Sequence, residues 1–416
     1  MPRFLALIII TVAVASCNRA CAMDSHAADR VALLSFKSGA HRMCNWTGVE
    51  CDLRGRVISL SLPHRNLTGL ISPVIGNLSA LETLELENNH LSGSLPPELG
   101  KLSQLEWLGL DRNLLEGAIP HTLGLLKRMS YLSLNGNNLT GDIPKALFRN
   151  CSSLVNIDLS GNSLSGVIPL SIRCRLSDIE NLSLSENRLV GVIPSSISNL
   201  TSLWTVDLSY NFLGGVLPSQ MFSKMTSFVD LQLGYNNFSS DDDNTDLEPF
   251  LASLVNCTGL QLLGLEANGI GGKIPLIISN LTPRIINLNE NRISGTLPSE
   301  IFHLQWIAAL NLSHNQISGE IPRSIGRAQY LLDIDVSYND LEGAVPETLS
   351  NLTELSTLLL AITGLAVKYP NPSAKLKTYI PLTCYIIVSM AWYRIPCSTS
   401  LIFSTLPLMI TGSRGP

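Results

Sequence analysis

An asparagine that returns at a nearly fixed interval constrains this chain more than any other feature. Asn89, Asn113, Asn137, Asn162, Asn187, Asn211, Asn236, Asn268, Asn291, Asn315 and Asn339 are separated by 24, 24, 25, 25, 24, 25, 32, 23, 24 and 24 residues. Most of them close a segment of the form LxxLxLxxN, as in Leu81, Leu84, Leu86 and Asn89. A period of this size marks a stack of identical supersecondary units. The LxxLxL part reads as a short strand whose side chains alternate, with Leu84 and Leu86 inward and Glu85 outward. One such strand cannot bury its apolar face, but the next copy laid beside it builds a continuous core. The inward asparagine carries two donors and an acceptor, enough to satisfy the backbone of neighbouring copies. Gly93 then allows a tight bend and Pro96 sets φ on leaving the strand side. Strands pack at about 4.8 Å while the outer segments need more room, so the strand side becomes concave. The expected fold is an α/β solenoid: a curved right-handed superhelix, with a parallel sheet on the concave face and a helical N-terminal cap.

A second element, Gly-x-(Ile/Leu/Val)-Pro, occurs ten times in frame, for example Gly117-Ala118-Ile119-Pro120 and Gly319-Glu320-Ile321-Pro322. With it the repeats resemble the plant-specific class of extracellular leucine-rich repeats over residues 57–360, about twelve to thirteen units. The long unit after Asn236 resembles the receptor-like kinases that include plant sensors of bacterial elongation factor and flagellin. No Gly-rich phosphate loop or His-Arg-Asp segment is present, so the resemblance is to a receptor ectodomain cut short, without its kinase.

Residues 1–22 are expected to be a signal peptide. Arg3 opens it, Phe4 to Ala15 is apolar, and Ala20-Cys21-Ala22 resembles a cleavage site. Residues 23–56 are expected to cap the first unit. Asp29 to Lys37 has helical spacing, and Cys44-Asn45-Trp46 to Cys51 resembles the cysteine-bearing cap of plant receptors, with a shortened link between the two pieces. Cys44–Cys51 is the pairing expected in an oxidising compartment. Twelve Asn-x-Ser/Thr sequons fit the secretory route. Those at Asn45, Asn66, Asn77, Asn138, Asn150, Asn199, Asn237, Asn256 and Asn351 are the glycan candidates. Asn311 lies between two core positions, and Pro283 follows the Asn280 sequon. The lone cysteines Cys151, Cys174 and Cys257 read as buried thiols. In the tail, residues 361–416, Tyr379 to Tyr393 is apolar but short for a membrane span, which needs about 20 residues. A secreted or plasma-membrane location follows from these readings, with membrane association left open.

The net charge is −5, and the tail holds five basic residues and no acid, so the rest carries −5 − 5 = −10. Nucleic acid is an unfavourable partner for such a surface. Seven histidines show no metal spacing, and no cofactor motif occurs. Asp333 and Asp335 share a face, yet an open strand face offers nothing to separate their pKa values, so catalysis is not expected. The acids in 239–246 lack the ligand spacing of a calcium loop and suit the start of a helix over Leu247 to Val255.

The frame assigns ligand contacts to the concave side. Trp107 and Tyr131 occupy one column in adjacent units, so their rings are expected to be neighbours. Trp204, Tyr210 and Tyr235 form a second group, with Asp158 and Asp207 between the core positions. Exposed aromatics on a rigid sheet are typical anchors. The resemblance implies recognition of an extracellular peptide or protein, in defence or development, with a co-receptor kinase as a signalling partner. Two alternatives remain: a secreted inhibitor of a microbial cell-wall hydrolase, similar to polygalacturonase-inhibiting proteins, and a truncated product without function.

Overall fold

The computed structural model describes residues 46–150, 152–170, 178–360 and 363–366, with residue 44 and the pair Ile10–Thr11. The helical part of the cap, Cys151, Cys174, Asn45 and the apolar tail segment therefore lie outside the described residues. So does the signal segment, except Ile10–Thr11, which runs antiparallel to Thr68–Ile71. Among the described residues no helix is long and apolar enough to cross a membrane.

The chain is a solenoid built on one 14-stranded sheet. Its first strand, β1 (Val49–Cys51), is antiparallel to β2 (Val57–Ser61). The rest are parallel and in register, from Thr83–Glu85 through Trp107–Gly109 to Thr357–Leu359. Each places one apolar side chain inward and two outward: Leu84, Leu108, Leu132, Leu182 and Leu231 have no exposed surface. The Cys44 and Cys51 sulfurs are joined, 2.07 Å apart, beside this first hairpin.

The asparagines explain the constant register. Asn187 Nδ2 donates to Leu159 O at 2.9 Å in the preceding unit and to Leu184 O at 3.2 Å in its own. Its Oδ1 accepts from Leu164 N at 2.9 Å. The same three partners recur from Asn89 (Leu62 O, Leu86 O, Leu67 N) to Asn339 (Leu312 O, Val336 O, Ile317 N). Buried backbone groups that would otherwise lack partners are thereby paired across every junction.

Two features were not legible in the repeat frame. The residue before each ladder asparagine is left-handed, as at Arg112 (φ 50°), Glu186 (φ 52°), Tyr210 (φ 53°) and Tyr338 (φ 53°). Only Gly136 and Gly161 fill this position without the steric cost of a side chain. Beyond the asparagine, the Gly-x-Ile-Pro element forms a second, outer line of short strands, such as His90–Ser94 and Arg292–Thr296. Its proline precedes a five-residue 3-10 helix, with Pro96 extended before Pro97–Lys101 and Pro322 before Arg323–Arg327. The outer side is therefore made chiefly of 3-10 turns. The longer α-helices described are Lys145–Asn150 and Glu248–Leu254.

The latter belongs to the long unit. Asp246 Oδ1 accepts from Glu248 N at 2.9 Å and Asp241 Oδ1 from Thr245 N at 2.7 Å, so these carboxylates cap the loop and helix start. Phe250 lies edge-on to Phe222 in the core, with centroids 6.1 Å apart. Cys257 is buried next to them, and burial pushes its thiol up to about 11.

Candidate functional site

The concave face carries two stacked aromatic pairs near the acids. In the first, strand register sets Trp107 beside Tyr131, and their rings stack at 3.6 Å with planes 5° apart. Gly109, two residues after Trp107, leaves space that the Glu87 carboxylate and the Trp107 indole edge both border. Burial raises the pKa of Glu87, with the charges of Glu85 and Asp111 adding to it. Burial also raises Asp111, although Ser133 donates a hydrogen bond that opposes the shift. Tyr131 is raised by burial first, then by Asp111.

The second pair, Tyr210 and Tyr235, stacks at 4.0 Å and 9° on two left-handed backbone positions. A hydrogen bond with Tyr210, then burial, pushes Tyr235 up to about 12. Glu266 lies across Gly234 and Gly264, where any side chain would meet it. Burial raises Glu266 and Asp230, and in each the charge of Asp207 contributes further. Among the described residues no ring contact joins Trp204 to this pair. It stands alone, 52 % exposed, just ahead of the strand Thr205–Asp207. The grouping expected from the frame therefore holds for two of its three rings, because Trp204 sits in a different column from the tyrosines. A third stack, His314 on Tyr338 at 4.0 Å, repeats the left-handed arrangement further along.

Asp158 and Asp207 are placed on the face but committed locally. Asp158 Oδ1 accepts from Ser160 N at 3.0 Å and Ser160 Oγ at 2.6 Å, and its Oδ2 accepts from Asn135. Asp207 binds Ser209 in the same way. They hold the turn after the strand, a role that side chains of this type commonly take. The carboxylates with capacity to spare are others. Four buried side-chain oxygens lack a hydrogen-bond partner among the described residues: Glu87 Oε2, Asn156 Oδ1, Asp230 Oδ1 and Glu266 Oε2. All four belong to positions on the concave strands or directly after them, and all are acceptors. Glu87 and Glu266 were hard to see in the sequence. The available signal was an acid two places before the ladder asparagine with a glycine close by. Of the sequon asparagines, Asn66, Asn77, Asn138, Asn199, Asn237, Asn256 and Asn351 are exposed, Asn150 ends the helix Lys145–Asn150, and Asn311 is half-buried within the strand Ala309–Asn311.

This architecture is a leucine-rich repeat solenoid. The Leucine Rich Repeat family model matches residues 80–102, 128–150, 153–174, 178–200, 283–304 and 307–328. The repeats are similar to those of plant receptor kinases. A leucine-rich repeat receptor-like serine/threonine-protein kinase of Arabidopsis thaliana is 46 % identical over 74 residues, which is 17 % of this chain and 8 % of the relative. The LRR receptor-like serine/threonine-protein kinase EFR of the same plant is 42 % identical over 91 residues, 18 % of this chain and 9 % of the relative. The solved structure of PEPR1–AtPEP1 superposes with a TM-score of 0.67 at 30 % identity, covering 79 % of this chain and 48 % of that one. The chain thus matches under a tenth of either kinase and about half of the solved ectodomain.

Proposed function

We propose that the concave face recognises an extracellular peptide or protein rich in hydrogen-bond donors and positive charge. The observation that carries this reading is the set of four buried, unpartnered acceptors on that face. Buried polar groups are almost always paired, so an acceptor-only set calls for donors from outside. Arginine and lysine supply donors alone, and a guanidinium also stacks on aromatic rings. Trp107–Tyr131 and Tyr210–Tyr235 provide such rings four units apart, about 19 Å at the strand spacing. The PEPR1–AtPEP1 likeness supports the same role, and the receptor-kinase relatives support a signalling role at the plasma membrane or in the extracellular space, for which a co-receptor kinase would be the partner. The face recognises and does not catalyse.

A binding screen of the full chain against synthetic peptides graded in charge tests this reading. Peptides with spaced arginines or lysines are expected to be retained. Trp107→Ala with Tyr131→Ala is expected to weaken the selected peptide about tenfold or more. Selection of acidic peptides, or no response to the double variant, sinks the assignment.

A further inference from the structure

The flank of the later repeats carries a second aromatic site, apart from the concave columns. Trp306 and Tyr330 each lie in the turn between a 3-10 helix (Ser299–His303 and Arg323–Arg327) and the strand that follows. One repeat of 24 residues separates them, and the solenoid pitch brings their rings to 5.1 Å with a tilt of 34°. They are 47 % and 53 % exposed. Two adjoining cavities share Tyr330. One, of about 430 Å³, is bordered by Thr258, Gln261, Thr282 and Arg284 as well as both rings. The other, of about 510 Å³, includes Gln305, Gln329 and Arg327, whose guanidinium donates to His303 Nε2 at 2.9 Å.

The charge here is the reverse of the concave face. Two guanidinium groups border the cavities and no carboxylate does, although the residues before the tail carry −10 by the count above. Glu354, one repeat beyond Tyr330, bounds the cationic stretch. Thr258, Thr282, Trp306 and Tyr330 recur at 24-residue intervals in one column, with the amides and guanidinium groups beside it.

The geometry points to a binding site for an acidic polysaccharide, a short run of uronic-acid pyranose residues laid along this flank. The apolar C–H face of a pyranose matches an aromatic face. Its hydroxyls match Thr and Gln, and its carboxylates match guanidinium forks, which favour planar anions. A polymer repeats its groups once per sugar and the solenoid repeats its groups once per strand, so successive sugars meet successive repeats. A protein hot spot uses the same aromatic and arginine residues, but around a desolvated apolar centre. Here polar groups line the rings and both cavities are open.

Titration calorimetry of the full chain with a polygalacturonate oligomer tests this. Binding is expected, weakened about tenfold or more by Trp306→Ala and by Arg284→Gln with Arg327→Gln. The methyl-esterified oligomer is expected to bind about tenfold more weakly, because its carboxylates are masked. Trp107→Ala is expected to bind the oligomer as the parent does, which separates this site from the concave face. All four positions are at the surface, and unchanged melting of each variant excludes misfolding as the cause of lost binding. Absence of binding, indifference to the Trp306 and arginine variants, or equal displacement by a polyglutamate peptide overturns the proposal.

Discussion

The inner and outer lines of strands meet the same irregularity in different ways. At the long unit between Asn236 and Asn268 the inner sheet continues without a change of register, and Asp230–Gln232 pairs directly with Leu262–Gly264. The outer line is broken there. Lys273 pairs with Asp246, a loop residue, in place of a strand residue of the preceding unit. The loop is admitted because Gly271 and Gly272 lie against Asn244 O and Thr245 O, where a Cβ would come within 2.3 and 2.4 Å. Asn244 secures the loop by donating to Gly269 O at 2.7 Å and accepting from Gly271 N at 2.8 Å. The inner side holds its pitch because each ladder asparagine ties two units together, and extra length is absorbed where no ladder exists. A binding surface on the inner side therefore keeps its spacing.

The most damaging test cuts the ladder. Asn187→Ala takes from Leu164 N its side-chain acceptor and removes one of two amide donors to each of Leu159 O and Leu184 O, which Asn162 and Asn211 still reach. At roughly 1–3 kcal/mol for the buried donor left unpaired and about 1 kcal/mol for each of the two carbonyl hydrogen bonds lost, a loss of about 4 kcal/mol is expected by denaturant unfolding, with amide exchange accelerated first in the adjoining units. A loss under about 1 kcal/mol would show that packing alone sets the register. An intermediate effect is expected outside. Gly272→Ala places a Cβ against Thr245 O at a φ of 93° and should cost about 2–3 kcal/mol. Amide exchange should quicken around residues 240–247 and leave Asp230–Gln232 protected. Spread of the damage into the inner sheet would break the distinction between the two lines.

The smallest effect concerns the acids of the concave face. Glu87 and Glu266 have folded pKa values above the ordinary 4.5, so the folded state holds their protons more tightly than the unfolded chain. Their contribution is complete below pH 4.5 and is lost as pH rises through the higher folded values. Lowering pH from neutrality toward that range should raise the melting temperature slightly. Asp52 opposes this at lower pH, because its hydrogen bonds from the Arg56 and Arg54 backbone and the Arg56 side chain hold its pKa below 3.8. Glu87→Gln with Glu266→Gln should flatten the pH dependence, as followed by thermal melts across the range. A slope unchanged by the pair would place the titrating groups elsewhere.

Much of the candidate site could be read before any coordinates. The Trp107–Tyr131 neighbour relation follows from two residues in one column of a parallel sheet, and Asn187 and its equivalents follow from a buried amide at a fixed interval. The frame failed where it had to rank side chains within a column. Asp158 and Asp207 looked like free contacts, but serines two places later hold them. Glu87 and Glu266 were not singled out by the frame, and glycines adjacent in space let them lie down into burial. Trp306 and Tyr330 lie outside the strand columns, so a frame anchored on the strand did not single them out.

The sequence by itself determined the solenoid, its pitch, its inward asparagine ladder and the columns along its concave face. These follow from periodicity alone, since a unit that cannot bury its own core must stack on its copy. Only the tertiary structure decided which acids keep an unpaired oxygen, which rings touch, and where the long unit stores its extra residues. Those outcomes depend on burial and on contacts between units, which no single repeat encodes. The left-handed backbone under Tyr210, Tyr235 and Tyr338 shows the same division. No local preference of tyrosine places it there; the hydrogen bonds of the neighbouring asparagine do.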